Sequence, residues 1–123
     1  MNTDEVRLVL PALPAYLRLA RLTAAALASG LGFTFDDVED LRIAVDELCY
    51  LLIGPGGQPG SMLLTFVMDG RQLSITGEGT AGPEPAELAE LSEQILAAVV
   101  DDYDVDRRDG TVRFSMVLRR HEL

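Results

Sequence analysis

The chain contains no lysine: all 10 of its basic residues are arginines, against 20 Asp and Glu residues, and the net charge is −10. Without lysine there is no Walker A lysine for a nucleotide phosphate, no Schiff-base lysine and no lysine general base. The negative charge also repels a phosphate backbone, so DNA or RNA is not expected as the main ligand.

Histidine and cysteine are almost absent, with one of each. His121 lies two residues from the C-terminus, which argues against Ser-His-Asp, Cys-His and multi-histidine metal sites. Cys49 lies in an apolar segment and is interpreted as a small buried residue. The acidic clusters lack the spacing and glycine turn of a calcium loop. No metal site is therefore predicted.

Long apolar runs are missing as well. No stretch of about twenty apolar residues occurs, and Asp4 and Glu5 stand where a signal peptide has basic residues. We expect a cytoplasmic protein without a membrane partner. At 123 residues and without an internal repeat, residues 1–123 are predicted to form a single domain.

Three helices are predicted from apolar residues that recur every three to four positions. They cover Pro14–Ser29, Asp36–Ile53 and Pro85–Val99. The first begins with a proline, which the first helical turn tolerates, and ends before Gly30. The second has Thr34 as its N-cap. In the third, the residues predicted to face inward are Leu88, Leu91, Ile95 and Val99.

Alternating segments predict strands at Glu5–Leu10 and Gly110–Arg119, with a further short strand as an alternative at Tyr103–Asp106. Met62–Met68 and Gln72–Thr76 are joined through Asp69-Gly70 and are predicted to form a hairpin. Alternation is typical of a sheet with one covered face. The fold class is therefore α+β, a two-layer α/β sandwich with an antiparallel or mixed sheet and helices on one face.

The second helix carries the clearest candidate site. Its core stripe is predicted to comprise Val38, Leu41, Val45, Leu48 and Leu52. Beside that stripe, Ala44, Glu47 and Leu51 share one strip, so a carboxylate and an apolar side chain lie one turn apart. A partly buried acid calls for a local partner, and Arg42 or a backbone amide is expected to provide it.

The element order and three segments of this chain resemble the partner-switching anti-sigma factors, serine kinases with the GHKL (histidine-kinase-like) ATPase fold. The segments are ARLTAA at Ala20–Ala25, LRIAVDELC at Leu41–Cys49, and the hairpin leading to ITGEG at Ile75–Gly79. The chain looks most like the actinobacterial members that accompany a stress or developmental sigma factor.

The resemblance implies a nucleotide site built from Glu47, Leu51, Gly77 and Gly79. Glu47 takes the place of the catalytic carboxylate, but the asparagine that helps to hold magnesium is replaced by Leu51, which has no oxygen donor. Gly77-Glu78-Gly79 matches the adenine-binding Asp-x-Gly motif without its aspartate. Ala89–Glu93 occupies the place of the family's glycine-rich turn that covers the phosphates, and this segment contains no glycine. We expect a vestigial Glu47 and a degenerate site at which ATP and magnesium bind weakly.

The resemblance also implies partners. Arg21 falls where the family presents a partner-contacting arginine, and Arg18 lies close to the same face. A homodimer would hold one alternative sigma factor of RNA polymerase and regulate transcription, and an anti-anti-sigma protein with a STAS domain would release it. Two alternatives remain open. One is an active serine/threonine kinase that phosphorylates its antagonist, with Glu78 or Asp46 as magnesium donors; the other is an adaptor module without a sigma partner.

Overall fold

The computed structural model describes residues 3–80 and 87–120. Its helices and strands, in chain order, are β1 (Asp4–Pro11), α1 (Leu17–Gly30, after a short 3-10 helix at Pro14–Tyr16), α2 (Phe35–Ile53), β2 (Ser61–Asp69), β3 (Gln72–Thr80), α3 (Glu90–Val99), β4 (Asp102–Arg108) and β5 (Thr111–Arg119). Within the described residues, none of these helices is both long and apolar enough to cross a membrane.

The strands of the described residues form one sheet in the order β1-β2-β3-β5-β4, and every neighbouring pair is antiparallel. Side chains alternate along each strand, so one face is buried beneath the helices. That face is filled by apolar residues such as Leu64, Phe66, Ile75, Phe114 and Met116. The predicted α+β sandwich is confirmed, with an antiparallel sheet rather than a mixed one.

The α2 helix is the central helix of the layer and contacts both α1 and α3. Its buried stripe follows the prediction, because Leu41, Val45, Leu48 and Leu52 are all nearly inaccessible to solvent, while Val38 is partly buried against the core. In α1 the buried residues are small, namely Ala20, Ala24 and Ala28. Small side chains allow two helices to approach closely, which places α1 directly beside α2.

The start of α2 also follows the prediction. Thr34 has an extended backbone, and its hydroxyl accepts a 3.1 Å hydrogen bond from the Asp37 backbone N–H. This bond satisfies one of the four N–H groups that a helix start leaves free. The helix begins at Phe35, one residue before the predicted start.

The third helix differs from its prediction. Its predicted start at Pro85 lies outside the described residues, and α3 begins only at Glu90, after Ala89 with an extended backbone. Leu91, predicted to face inward, is 66% exposed, whereas Leu96 is fully buried. Five consecutive residues of this helix, Ile95–Val99, are apolar, and the contacts of the helix with α2 and β4 select the stripe through Leu96.

The last two predicted strands form fully, since β4 runs over Asp102–Arg108 and pairs with β5. β3 continues past its predicted end at Thr76 and reaches Thr80. This extension carries Gly77 and Gly79 into the sheet, where both lie on the face below the helices. The candidate site is therefore formed by α2 above and β3 below.

Candidate functional site

Asp46 and Glu47 lie on opposite flanks of α2. Neighbouring residues of a helix are about 100° apart, so two adjacent acids can face different neighbours. Asp46 faces α1, where it meets Arg21 at 3.2 Å. Glu47 lies in line with Ala44 and Leu51, on the flank where α3 packs. The predicted strip of Ala44, Glu47 and Leu51 is therefore present, and it points away from α1.

Glu47 is half-buried, and within residues 3–80 and 87–120 its carboxylate makes no ion pair or side-chain hydrogen bond. Arg42, one of its expected partners, instead contacts Glu39 at 3.3 Å, one turn earlier on the same helix. The side chain predicted to be catalytic is thus available to a ligand from the α3 side.

Leu51 is the last residue of the strip that contains Ala44 and Glu47. It is 4% exposed and belongs to the hydrophobic core of the described residues, together with Ala44 and Leu96. An apolar group cannot ligate magnesium, because hard cations take oxygen donors. One turn from Glu47, the site therefore offers a packed methyl surface in place of a metal ligand.

Gly77 and Gly79 lie below α2, but packed side chains cover them. A Cβ atom added at Gly77 would lie 2.4 Å from Cε2 of Phe114 and 3.0 Å from a methyl of Leu64. At Gly79 the nearest atoms belong to Leu52, at 3.6 Å or more. The absence of a side chain at Gly77 thus gives room to the Phe114 ring, and a core contact suffices to explain this glycine.

The structure brings Glu47, Leu51, Gly77 and Gly79 into the same two layers. Cavities of about 410, 160, 190 and 380 Å³ lie along the described part of the chain. Neither Glu47 nor Leu51 belongs to the lining of these four cavities. Gly77 borders the 380 Å³ cavity, which lies on the uncovered face of the sheet among Arg7, Thr65 and Thr76.

The start of α3 is also unfavourable for phosphate. A helix N-terminus attracts anions through its free N–H groups and its dipole. In α3, however, Glu90 and Glu93 already occupy the first turn, and no side chain caps Ala89. A phosphate at this end would meet two negative charges.

Two acids were predicted as replacement magnesium donors, and neither is placed to act with Glu47. Glu78 alternates with Gly77 and Gly79 along β3 and therefore projects from the uncovered face of the sheet. Asp46 is turned to the α1 flank and paired with Arg21. Among the described residues, no group of three or more His, Cys, Asp or Glu side chains is arranged to hold a metal ion.

The two predicted partner-contacting residues lie on α1. Arg21 is 35% exposed through its side chain, and its Nε lies 3.2 Å from Oδ1 of Asp46 without the alignment of a hydrogen bond. Arg18, one turn earlier, is exposed and makes no ion pair within the described residues. Both arginines thus lie where another protein can reach them.

The pairing of Arg21 with Asp46 was not predicted. The signal was present in the small residues Ala20 and Ala24, which place α1 against α2, but the sequence does not show which flank of α2 faces α1. Burial raises the pKa of Asp46, the Arg21 charge lowers it, and the neighbouring Glu47 raises it again, with a net increase. Burial also raises the pKa of the Cys49 thiol to about 12, as expected for an unreactive core residue.

No protein family model matches the chain. Among curated proteins, it is 26% identical to the serine-protein kinase RsbW of Bacillus pumilus, over 99% of this chain and 91% of that protein. It is 46% identical to RsbW of Bacillus subtilis strain 168 over 39% of this chain, and 32% identical to RsbW of Halalkalibacterium halodurans over 62% of it. These two matches cover 30% and 49% of the relatives' own lengths.

Among solved structures, the chain superposes on the crystal structure of the RsbU and RsbW domains of Rv1364c from Mycobacterium tuberculosis. The TM-score is 0.74 at 12% sequence identity, over 94% of this chain and 32% of that chain. The chain therefore shares a fold with that structure and resembles the RsbW serine-protein kinases in sequence, which confirms the resemblance predicted from its helices and hairpin.

Proposed function

We propose that this chain is an anti-sigma factor. It sequesters an alternative sigma factor of RNA polymerase, binds nucleotide poorly, and is released when a STAS-domain anti-anti-sigma protein competes for the same surface. The similarity to RsbW proteins and the shared fold support this class of function. A homodimer that grips one sigma factor is part of the proposal.

The observation that carries the proposal is that an apolar side chain occupies the flank of α2 beside Glu47. Leu51 is packed into the core one turn from Glu47, and neither Glu78 nor Asp46 reaches that flank. A lost charged or metal-linked contact is worth about 1.5 to 3 kcal/mol, so the loss of two weakens ATP binding by about 3 to 6 kcal/mol. This corresponds to roughly a hundred-fold to ten-thousand-fold in Kd. Sigma binding that does not depend on ATP fits such a site.

The exposed face of α1 supports the partner-binding half of the proposal. Arg21 and Arg18 are the accessible cations there, and a guanidinium can hold a carboxylate through two parallel hydrogen bonds. The proposed contact is therefore an acidic residue of the partner. Because the chain as a whole carries a net charge of −10, these arginines also restrict where an acidic partner can approach.

The test is isothermal titration calorimetry of the purified chain, first with magnesium-ATP and then with each purified alternative sigma factor of the source bacterium without nucleotide. We expect no heat from nucleotide below millimolar concentration and saturable binding of one sigma factor. Micromolar ATP binding, or sigma binding that requires ATP, would contradict the degenerate site. The absence of binding to every sigma factor would contradict the anti-sigma role.

The second candidate is a working serine/threonine kinase. It is favoured by the Glu47 carboxylate, which has no ion-pair partner among the described residues, and by the names of the RsbW relatives. Glu47 would then position the attacking hydroxyl of an antagonist. Phosphate transfer from labelled ATP to a STAS-domain protein, lost in Glu47→Ala, would support the kinase over the nucleotide-independent switch.

A further inference from the structure

The ion pair between α1 and α2 leaves the end of the Arg21 guanidinium available. Nε of Arg21 and Oδ1 of Asp46 lie 3.2 Å apart, and both atoms are shielded from solvent. Within the described residues, none of the guanidinium nitrogens makes an aligned hydrogen bond, and 35% of the side chain is exposed. The helix pair therefore fixes the inner part of the guanidinium, and its outer donors are without a partner.

Burial opposes the charge of Asp46, and the Arg21 guanidinium offsets only part of this effect. Burial raises the pKa of Asp46 more than the Arg21 charge lowers it, so the fold favours the protonated carboxyl. An acid whose pKa is raised on folding lowers stability as the pH rises above its ordinary value, 3.8 for this group. A charged Asp46 is thus retained at a cost, as is common for partly buried ion pairs.

We propose that Asp46 is a positioning residue that holds Arg21 so that its outer nitrogens meet a carboxylate of the bound partner. The proposal rests on the anti-sigma function, in which Arg21 contacts the partner. A long side chain that is already fixed loses less conformational freedom on binding, and this pre-organisation is worth roughly three-fold to ten-fold in affinity.

The surroundings of the pair indicate the chemistry of the partner segment. On α2, Ile43 and Asp46 are three residues apart and share a stripe; on α1, Arg18 lies one turn before both Arg21 and Leu22 and connects them. The exposed apolar residues of these two helices include Leu19 at 46%, Leu22 at 53%, Ile43 at 43% and Tyr50 at 42%. Arg18 and Arg21 are the cations that α1 adds to this apolar surface, and Arg18 makes no ion pair within the described residues. This surface fits an amphipathic segment that carries a carboxylate beside apolar side chains.

The test compares Asp46→Asn with Glu39→Gln. Asparagine keeps the shape of Asp46 and removes its charge, while Glu39→Gln disrupts the exposed Glu39–Arg42 pair on the same helix and leaves Arg21 untouched. Each variant is titrated with the sigma factor that binds the unaltered chain. We expect Asp46→Asn to bind about three-fold to ten-fold more weakly, and Glu39→Gln to stay within about two-fold.

A second readout needs no partner. In the free protein, the ¹⁵Nε–¹Hε signal of Arg21 is expected to show a rigid side chain, and Asp46→Asn should make it mobile. Urea unfolding of the variant verifies that it remains folded under the conditions of both measurements. Unchanged mobility, or unchanged or tighter sigma binding, would overturn the positioning role. If no sigma factor binds the unaltered chain, the proposed function fails, and the Arg21 signal alone still decides whether Asp46 holds this side chain.

Discussion

Gly77 shows at the scale of single residues how a motif position can be explained by packing. Alanine at this position would place its Cβ 2.4 Å from the Phe114 ring, so either the ring or the strand must shift. We expect Gly77→Ala to lower the free energy of unfolding by about 1 to 3 kcal/mol, the usual range for overpacking a core.

Gly79→Ala is the matched control on the same strand, because its nearest neighbour would lie at 3.6 Å, an ordinary contact. This variant should be neutral or slightly stabilising, since alanine restricts the unfolded chain. Urea denaturation of both variants gives the comparison. Equal losses at the two positions would show that strand conformation, rather than the Phe114 contact, governs both glycines.

Among single residues, the sequence predicts those whose role depends on their own helix. Glu47 and Leu51 share a strip because they are four residues apart, and the structure confirms that strip. Asp46 could not be assigned to Arg21 in the same way, because their contact joins two helices and depends on how α1 is rotated against α2. The covering of Gly77 by Phe114 likewise depends on the register between β3 and β5.

At the scale of the helix, the Thr34 cap of α2 is open to a direct test. Thr34→Ala removes the acceptor for the Asp37 N–H and is expected to cost about 1 kcal/mol of unfolding free energy. Thr34→Ser keeps the hydroxyl and should stay close to the unaltered protein. Thermal unfolding followed by circular dichroism measures both variants. An equal loss in the serine variant would assign the effect to the threonine methyl group.

Helix boundaries are predictable where a local signal marks them, and α2 and α3 show the contrast. Thr34 marks the start of α2, and the prediction was correct to one residue. No capping side chain marks the start of α3, which begins at Glu90. The prediction that Leu91 faces inward was wrong because the segment contains overlapping apolar stripes. Only the packing of α3 against α2 and β4 selects the stripe through Leu96.

At the scale of the whole molecule, the two-layer architecture follows from the alternating strands and amphipathic helices. The relative direction of the strands required more than alternation. A hairpin fixes β2 against β3, and another tight turn fixes β4 against β5, but the pairing of β3 with β5 crosses the segment that contains α3. The pairing of β1 with β2 likewise crosses the segment that contains α1 and α2. These two long-range pairings make the sheet fully antiparallel, and no local signal in the sequence specifies them.

Arg120 joins the end of the described chain to its first long helix. Its Nη1 donates a 2.7 Å hydrogen bond to the carbonyl of Leu31, the residue that caps α1, and its backbone N–H donates to the carbonyl of Arg71. The last turn of α1 has no basic residue of its own, so Arg120 supplies the positive charge that a helix C-terminus favours.

Arg120→Ala is therefore expected to lower the free energy of unfolding by about 1 to 2 kcal/mol, because it removes a half-buried charged hydrogen bond between the sheet and the helix layer. Arg119→Ala is the control, since the Arg119 side chain is exposed and its backbone bond to Asp101 survives the change. It should stay within about 0.5 kcal/mol. Urea denaturation of the two variants distinguishes the Arg120–Leu31 contact from a general loss of positive charge. Equal destabilisation by both variants would indicate the charge. A loss confined to Arg120→Ala would show that this contact couples the sheet to the helix layer.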